Sequence, residues 1–407
     1  MDVFEILQER GFIKQTTGDA AVRELLNSGS STFYAGFDPT ANSMHVGNLL
    51  PIMAMAWLQR AGHRALALVG GGTAMVGDPS GKTETRQLLD VATIDANKAA
   101  IQGQLEHFLV LDGAQGEVVD NATWLTGLGY IAFLRDVGRH FSVNRMLAAE
   151  AYKARLERGL SFIEFNYQIL QAYDFLTLYR THRCVLQLGG DDQWGNILAG
   201  TDLVRRLEEA EVHALTIPLL TTASGAKMGK THKGSVWLDR ERFSPFDYYQ
   251  YWISCDDRDV GKLLRLYTFL PMERVRELEA LEGSDLREAK RVLAFEATSL
   301  AHGEQAAQEA EAGAAAMVAG AATADMPSHE VAAAALSEGL RLYVAMADAG
   351  LVKSRGEGRR LIAGGGCKLN GEKVIDPERD LVEADFATGD AVVRLGKKRA
   401  VRLTLGG

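Results

Sequence analysis

Residues 32–48, TFYAGFDPTANSMHVGN, run from an apolar segment through a turn to the start of a helix. Thr32–Phe37 reads as a short buried strand, Asp38-Pro39-Thr40 is a turn signal, and His45-Val46-Gly47-Asn48 sits where a helix should begin. A helix-like stretch from Gly47 to Ala61 then leads to a second buried strand, Ala65–Val69 (ALALV). Further on, Cys184–Leu188 (CVLQL) ends in Gly-Gly and is followed by a helix-like run from about Asp192 to Glu209. This alternation predicts an α/β fold with a doubly wound parallel sheet. In such sheets ligands bind beyond the carboxyl ends of the strands. That rule selects Gly36–Asn48, Gly70–Lys82 and Gly189–Asn196 as candidate binding segments.

The chain has 407 residues, enough for two or three folded units. A hydrophobic fraction of 47% and a charged fraction of 24% are ordinary for a globular protein, so a core forms without metal or disulfide staples. Cys184, Cys255 and Cys367 are far apart and odd in number, which points to a reducing cytoplasmic setting. No stretch has the pattern of a signal peptide or the length of an apolar span, so no membrane association is expected. Net charge is −9, but residues 341–407 hold thirteen Lys/Arg against nine Asp/Glu, a local balance of +4. A basic module on an acidic body is compatible with RNA binding through one patch, and equally with a terminal domain that is merely basic. Residues from Pro245 to about Gly320 are mostly helical in pattern. Within them, the Ala/Gly-rich residues 305–325 fit either a plain helix or a mobile connection.

Each candidate segment has a chemistry. The helix start at His45–Asn48 offers unpaired amides and a dipole suited to phosphate. Thr40 and His45 could donate to phosphate oxygens, and Gly47 permits close approach of a ligand ring. GGGTAMVGDPSGKT, from Gly70, imitates a P-loop but fails on spacing, because Gly77 and Gly81 are separated by three residues and the required glycine position holds Val76. Its glycines are expected to open the backbone to a bound adenylate. In SFIEFNYQILQAYDFLTLY, Tyr167, Gln171 and Asp174 fall at i, i+4 and i+7 on one helix stripe. Polar groups in so apolar a helix face either a polar ligand or one wet side. After the third strand, Gly189 and Gly190 allow a base or ribose against the backbone, and Asp191 can accept ribose hydroxyls. The pair Asp191 and Asp192 also fits Mg²⁺, although magnesium arriving with ATP is preferred. Finally, TTASGAKMGKTHKG is a Gly/Ser/Thr-rich loop whose Lys227 and Lys230 suit closure over a triphosphate.

HVGN resembles the HIGH signature, and KMGKT the KMSKS signature, of class I aminoacyl-tRNA synthetases, in the same order along the chain. YAGFDPTANSMHVGN resembles the tyrosyl branch of bacterial type nearly end to end, and the resemblance extends over almost the whole chain. One departure is Asn48 in place of the second histidine, which removes acid–base chemistry there without removing a hydrogen bond. The resemblance implies activation of L-tyrosine with ATP and Mg²⁺, followed by transfer to tRNA(Tyr). It implies that Tyr34 and Asp174 pair with the substrate phenol, and that Asp78, Tyr167 and Gln171 hold its ammonium. Gln187, Asp192 and Gln193 also fall on the tyrosine side. For ATP it implies Gly36, Asp38, Gly47, Asn48, Gly189, Asp191 and Asp192. Thr40, His45, Lys82, Arg86, Lys227, Lys230 and Thr231 would serve the phosphates, with Lys230 the first choice. The tail SRGEGRRLIAGGGCKLNGEKVIDP resembles a small RNA-binding domain, with Arg355, Arg359, Arg360, Lys368 and Lys373 as phosphate contacts. The expected division is a Rossmann-like catalytic domain over 1–225 with an inserted helical dimer region at about 115–165. A helical anticodon-stem domain with the lysine loop then covers 226–325, and a small α+β RNA-binding domain 339–407. A homodimer is expected by the same resemblance. The related tryptophanyl enzyme and a non-enzymatic RNA-binding protein are the rival readings, and the second of these has no need for His45, Lys227 and Lys230.

Overall fold

The computed structural model describes residues 2–406 apart from 81–88, 149–151, 153–155, 157–158, 226, 232–233, 320–325, 388 and 397–398. Two compact units emerge, residues 1–307 and residues 308–407.

The first unit is built on a six-stranded sheet. Its strands are β1 (Gln15–Thr16), β2 (Thr32–Phe37), β3 (Arg64–Val69), β4 (Gly116–Asp120), β5 (Cys184–Gly190) and β6 (His213–Ile217), in the order β1-β6-β5-β2-β3-β4. All neighbours from β6 to β4 are parallel, and only the two-residue edge strand β1 runs antiparallel. After β2 the chain moves outward through β3 and β4, then returns to the other side of β2 for β5 and β6. The order therefore reverses between β2 and β5, which opens a crevice at their carboxyl ends. The strands are continuous apolar runs because both faces of the sheet are covered. In β3, RALALV, every residue after Arg64 is buried.

Helix Val46–Arg60 crosses from β2 to β3, Phe162–His182 leads into β5, and Trp194–Glu208 joins β5 to β6. Phe162–His182 starts at a capping box, in which Ser161 accepts from the Glu164 amide and Glu164 accepts from the Ser161 amide. It stops where Arg183 enters the left-handed region, at φ 52°. Helices Pro245–Ile253, Val260–Tyr267, Met272–Glu279 and Leu286–His302 pack around the fully buried rings of Tyr248, Trp252 and Tyr267. Buried Arg10 ties the amino-terminal helix to this bundle. Its guanidinium donates to the carbonyls of Arg265, Thr268 and Leu270 and lies over the Trp57 ring. Of the two options for residues 305–325, the helical one holds through Glu304–Ala319, and residues 320–325 lie outside the described set. In chain order, β6 and the bundle are separated by a short antiparallel hairpin, β7 (Lys230–Thr231) with β8 (Gly234–Ser235).

The second unit carries a five-stranded sheet of β9 (Ser328–Ala332), β10 (Cys367–Leu369), β11 (Glu372–Val374), β12 (Asp390–Leu395) and β13 (Arg399–Gly406), in the order β11-β10-β12-β13-β9. Helices Leu342–Asp348 and Arg355–Ala363 supply the apolar cover, with Leu342, Met346 and Ile362 in its core. The β10–β11 hairpin closes at Asn370-Gly371, where both residues have positive φ, as a two-residue turn matching strand twist requires. Strand β9 belongs to this sheet although it lies ahead of the expected start at 339. It pairs in parallel with the last strand, so the amino acids that complete the unit are separated from it by most of its length.

Candidate active site

A cavity of about 640 Å³ opens at the β2/β5 crevice. Its walls include Tyr34, Gly36, Asp38, Thr40, His45, Gly47, Asn48, Asp78, Tyr167, Gln171, Asp174, Gln187, Gly189, Asp192 and Gln193. Residues from the three strand-end segments and from the Phe162–His182 helix thus converge on one space, while the lysine loop is not among its walls. Tyr34 on β2 stands opposite Gln187 on β5 in the strand register, which brings both to the floor. The Tyr34 hydroxyl and Gln187 Oε1 are buried and have no hydrogen-bond partner among the described residues. An unpaired buried polar group costs stability unless a ligand satisfies it.

Asp174 faces the same space and is only 2% exposed. Trp124 Nε1 donates to its Oδ1 at 2.8 Å, and Asn121 Nδ2 donates to its Oδ2 at 2.9 Å. Burial pushes its pKa up to about 8, while these two donors pull it down and Asp38 and Asp120 add to the rise. The Tyr34 phenol is held well above its ordinary value, first by burial and then by the Asp174 charge. Asn121 and Trp124 sit just after β4, and the sequence reading passed over them. Their role depends on a contact about fifty residues away along the chain, which no local pattern signals.

The opposite wall is a polar network. The Tyr167 hydroxyl donates to Asp38 Oδ2 at 2.8 Å, and the Thr73 hydroxyl to Asp38 Oδ1 at 2.7 Å. Gln193 Nε2 donates to Asp78 Oδ2 at 2.8 Å, and the Ser80 amide to Asp78 Oδ1 at 2.8 Å. Asn196 Nδ2 reaches both Gln171 Oε1 and Gln193 Oε1, at 3.1 and 3.2 Å. Burial raises the Asp192 pKa, Asp78 raises it further, and Lys227 opposes the rise. With Asp38, Asp78, Asp174 and Asp192 around it, the cavity suits an ammonium at one side and a hydroxyl donor at the floor.

At the cavity mouth, His45 caps helix Val46–Arg60. Its Nδ1 accepts from the Gly47 amide at 3.0 Å, and its own amide donates to Asn48 Oδ1 at 3.0 Å. The neutral Asn48 side chain therefore closes a capping box and fixes the helix start. The lysine loop packs directly on this turn. A Cβ on Gly47 would come within 3.4 Å of the Met228 carbonyl, and one on Gly229 within 2.9 Å of the Gly47 amide. Lys227 is exposed, Lys230 and Thr231 form β7, and Lys82 and Arg86 lie outside the described residues.

Two expectations need correction. Asp191 does not line the cavity. Its Oδ1 accepts from Gln15 Nε2 at 2.6 Å and from the Thr216 hydroxyl at 2.9 Å, because the turn after β5 points successive carboxylates to opposite sides. The Gly70–Gly72 run is not left open for a nucleotide either. A Cβ on Gly70 would meet Asp38 Oδ1 at 2.2 Å, and one on Gly71 would meet Asp120 Oδ1 at 2.5 Å. These glycines make room for the protein's own carboxylates. In the second unit, Arg355, Arg359, Arg360, Lys368 and Lys373 are all exposed. Arg359 lies 2.5 Å from Glu378, and Arg355 3.9 Å from Asp348. Lys368 stands directly between Lys373 on β11 and Arg394 on β12, a row of cations that the sequence reading had only in part.

The chain belongs to the class I tRNA synthetases (W and Y), whose family model matches residues 26–319. Residues 318–402 match the tyrosine–tRNA ligase SYY-like C-terminal domain. The tyrosine–tRNA ligase of Desulfosudis oleivorans is 52% identical, with 98% of each chain covered. That of Clostridium tetani is 49% identical, with 99% of each covered. Among solved structures, a C-terminally truncated mitochondrial tyrosyl-tRNA synthetase of Aspergillus nidulans superposes with a TM-score of 0.70 at 30% identity, over 78% of this chain and 94% of that one.

Proposed function

We propose that this chain is a tyrosine–tRNA ligase that binds its amino acid at the β2/β5 crevice. The tyrosine carboxylate attacks the α-phosphorus of ATP, pyrophosphate leaves, and tyrosyl-adenylate remains. A ribose hydroxyl at the 3′ end of tRNA(Tyr) then attacks the acyl carbon and AMP departs. The observation that carries the reading is the buried, unpartnered Tyr34 hydroxyl beside Asp174, which matches a phenol and leaves phenylalanine with unpaired groups opposite it. Asp78, Tyr167 and Gln171 hold the substrate ammonium. Thr40, His45 and the lysine loop with Lys227 and Lys230 meet the phosphates, where positioning and charge stabilisation do the catalytic work. Lys82 and Arg86 complete the phosphate side. Mg²⁺ comes with ATP as part of that substrate, neutralising phosphate charge. The bundle after residue 226 takes the anticodon stem, and the basic tail takes a further part of the tRNA. Residues 130–163 carry exposed apolar side chains, with Ile131 at 75% and Phe162 at 70% exposure, which fits a homodimer contact. Ile131→Asp with Phe162→Asp should yield monomers by sedimentation, and an unchanged mass would remove that face from the contact. Among the described residues no helix is long and apolar enough to cross a membrane, and the chain is assigned to the cytoplasm with the rest of translation.

Tyrosine-dependent exchange of labelled pyrophosphate into ATP, with tryptophan and phenylalanine in parallel, tests the reading. Exchange with tyrosine alone is expected. Exchange driven by tryptophan, or none at all from folded protein with magnesium, would overturn it.

A further inference from the structure

The two signature segments do more than lie near each other, because a third segment ties them together. Residues 43–46 and 236–239 are zipped by backbone hydrogen bonds. The Val46 amide donates to the Val236 carbonyl at 2.9 Å, the Leu238 amide donates to the Met44 carbonyl at 2.9 Å, and His45 faces Trp237 in an antiparallel bridge. In turn, the Val236 amide donates to the Gly229 carbonyl at 2.9 Å. A continuous path of main-chain bonds thus runs from the lysine loop to the residue that caps the helix start.

The segment is itself pinned from outside. Trp237 lines the cavity, and the Arg242 guanidinium is stacked 3.6 Å from its ring centre. Arg242 Nη1 donates to Asn42 Oδ1 at 2.6 Å, two residues before Met44. The turn that delivers Arg242 is closed by Asp239, which accepts from the Glu241 and Arg242 amides. The Asp239 amide donates to the Ser43 hydroxyl at 3.1 Å. A planar guanidinium that stacks on one ring and bonds one side-chain amide fixes orientation in a way a point charge does not.

We propose that residues 236–242, with Trp237 clamped by Arg242, form a strap that sets the distance between His45 and the lysine loop during tyrosine activation. This rests on the reading of the cavity as the adenylation site. Trp237 enters the cavity beside His45, so the strap's effect is expected on the phosphate side. Arg242 is exposed and acts through Trp237 and Asn42, which makes it a positioning residue.

The test uses the full chain and pyrophosphate exchange, titrated separately in ATP and in tyrosine. Arg242→Ala should raise the KM for ATP or lower kcat by about tenfold, since small misplacements at a reacting centre are amplified in rate. The KM for tyrosine should stay within about twofold, because removing a phosphate-side contact leaves the amino-acid contacts in place. Arg242→Lys should restore only part of the loss, and Trp237→Phe should keep the clamp largely intact. In a His45→Ala background, Arg242→Ala should cost little more, since it acts through the same contact. An unchanged thermal midpoint separates this from loss of fold. Wild-type kinetics in Arg242→Ala, equal effects on both substrates, or the same loss with and without His45 would each overturn the strap. Wild-type exchange in the same series tests the site reading independently, so the two failures are told apart.

Discussion

On the proposed reading of the cavity, Asp174 should give the site a pH dependence. Its folded pKa of about 8 lies above the ordinary carboxyl value of 3.8, so the folded chain binds the extra proton between those limits. Stability contributed by this group is therefore full below about pH 4 and falls as pH rises toward 8. Function runs the other way. Asn121 and Trp124 each donate to one carboxylate oxygen, an arrangement that suits the ionised form and leaves it free to accept from a phenol. The expected outcome is that kcat/KM for tyrosine in exchange rises with pH up to a plateau with a midpoint near 8. Asp174→Ala should abolish the rise, lower kcat/KM for tyrosine by roughly tenfold or more, and narrow the preference over phenylalanine, as loss of a charged hydrogen bond of about 1.5–3 kcal/mol requires. A pH profile of kcat/KM for both amino acids checks this, and identical profiles in the two proteins would remove Asp174 from phenol recognition. Trp124→Phe removes one donor and should move the midpoint upward.

Among the elements, the lysine loop depends on one backbone conformation. Gly229 has φ +78°, and a Cβ there would also sit 2.9 Å from the Gly47 amide at the helix start. Gly229→Ala is therefore strained twice, by its left-handed backbone and by contact with an immovable main chain. The loop should lift from helix Val46–Arg60, and ATP-dependent exchange should fall by about tenfold or more while tyrosine binding, followed by equilibrium dialysis, is retained. Exchange equal to the parent's would show that the loop tolerates the displacement. The elements around this loop were largely readable from the chain. Thr32–Phe37 is a strand with the expected ends, and His45–Asn48 is the expected helix start, because short apolar runs and capping residues act locally. The helix stripe of Tyr167, Gln171 and Asp174 held for the same reason. What escaped is non-local: the Asn121 and Trp124 donors, the Trp237 bridge to His45, and the choice between Asp191 and Asp192. Two adjacent carboxylates look alike in sequence, and only the partners Gln15 and Thr216, brought by β1 and β6, separate them.

For the whole molecule, the division into a unit ending at residue 307 and one starting at residue 308 offers a cut that tests whether the two half-reactions are separable. The residues that line the cavity, and the lysine loop beside its mouth, all lie in the first unit. Lys373, Lys368 and Arg394 lie side by side across β11, β10 and β12, and RNA contact by the second unit is expected to draw on the two exposed lysines. Like charges placed directly opposite in a sheet destabilise it, and a phosphate lying against the row would relieve that repulsion. Where to cut follows from the sheet. Removal from about residue 335 onward would leave β9 without β13 and expose a strand edge. A chain ending near residue 319 avoids this. It should keep tyrosine-dependent pyrophosphate exchange within about twofold while charging of tRNA(Tyr) falls by about tenfold or more, because contacts to the phosphate backbone supply much of the affinity for RNA. In the full chain, Lys368→Ala with Lys373→Ala should give a smaller loss and a shallower dependence of tRNA affinity on salt, since each lost phosphate contact removes about 0.7–0.9 from the slope of log affinity against log salt. Equal charging by the shortened chain would assign tRNA recognition to the residues before about 320. The cation row would then belong to some other anionic partner.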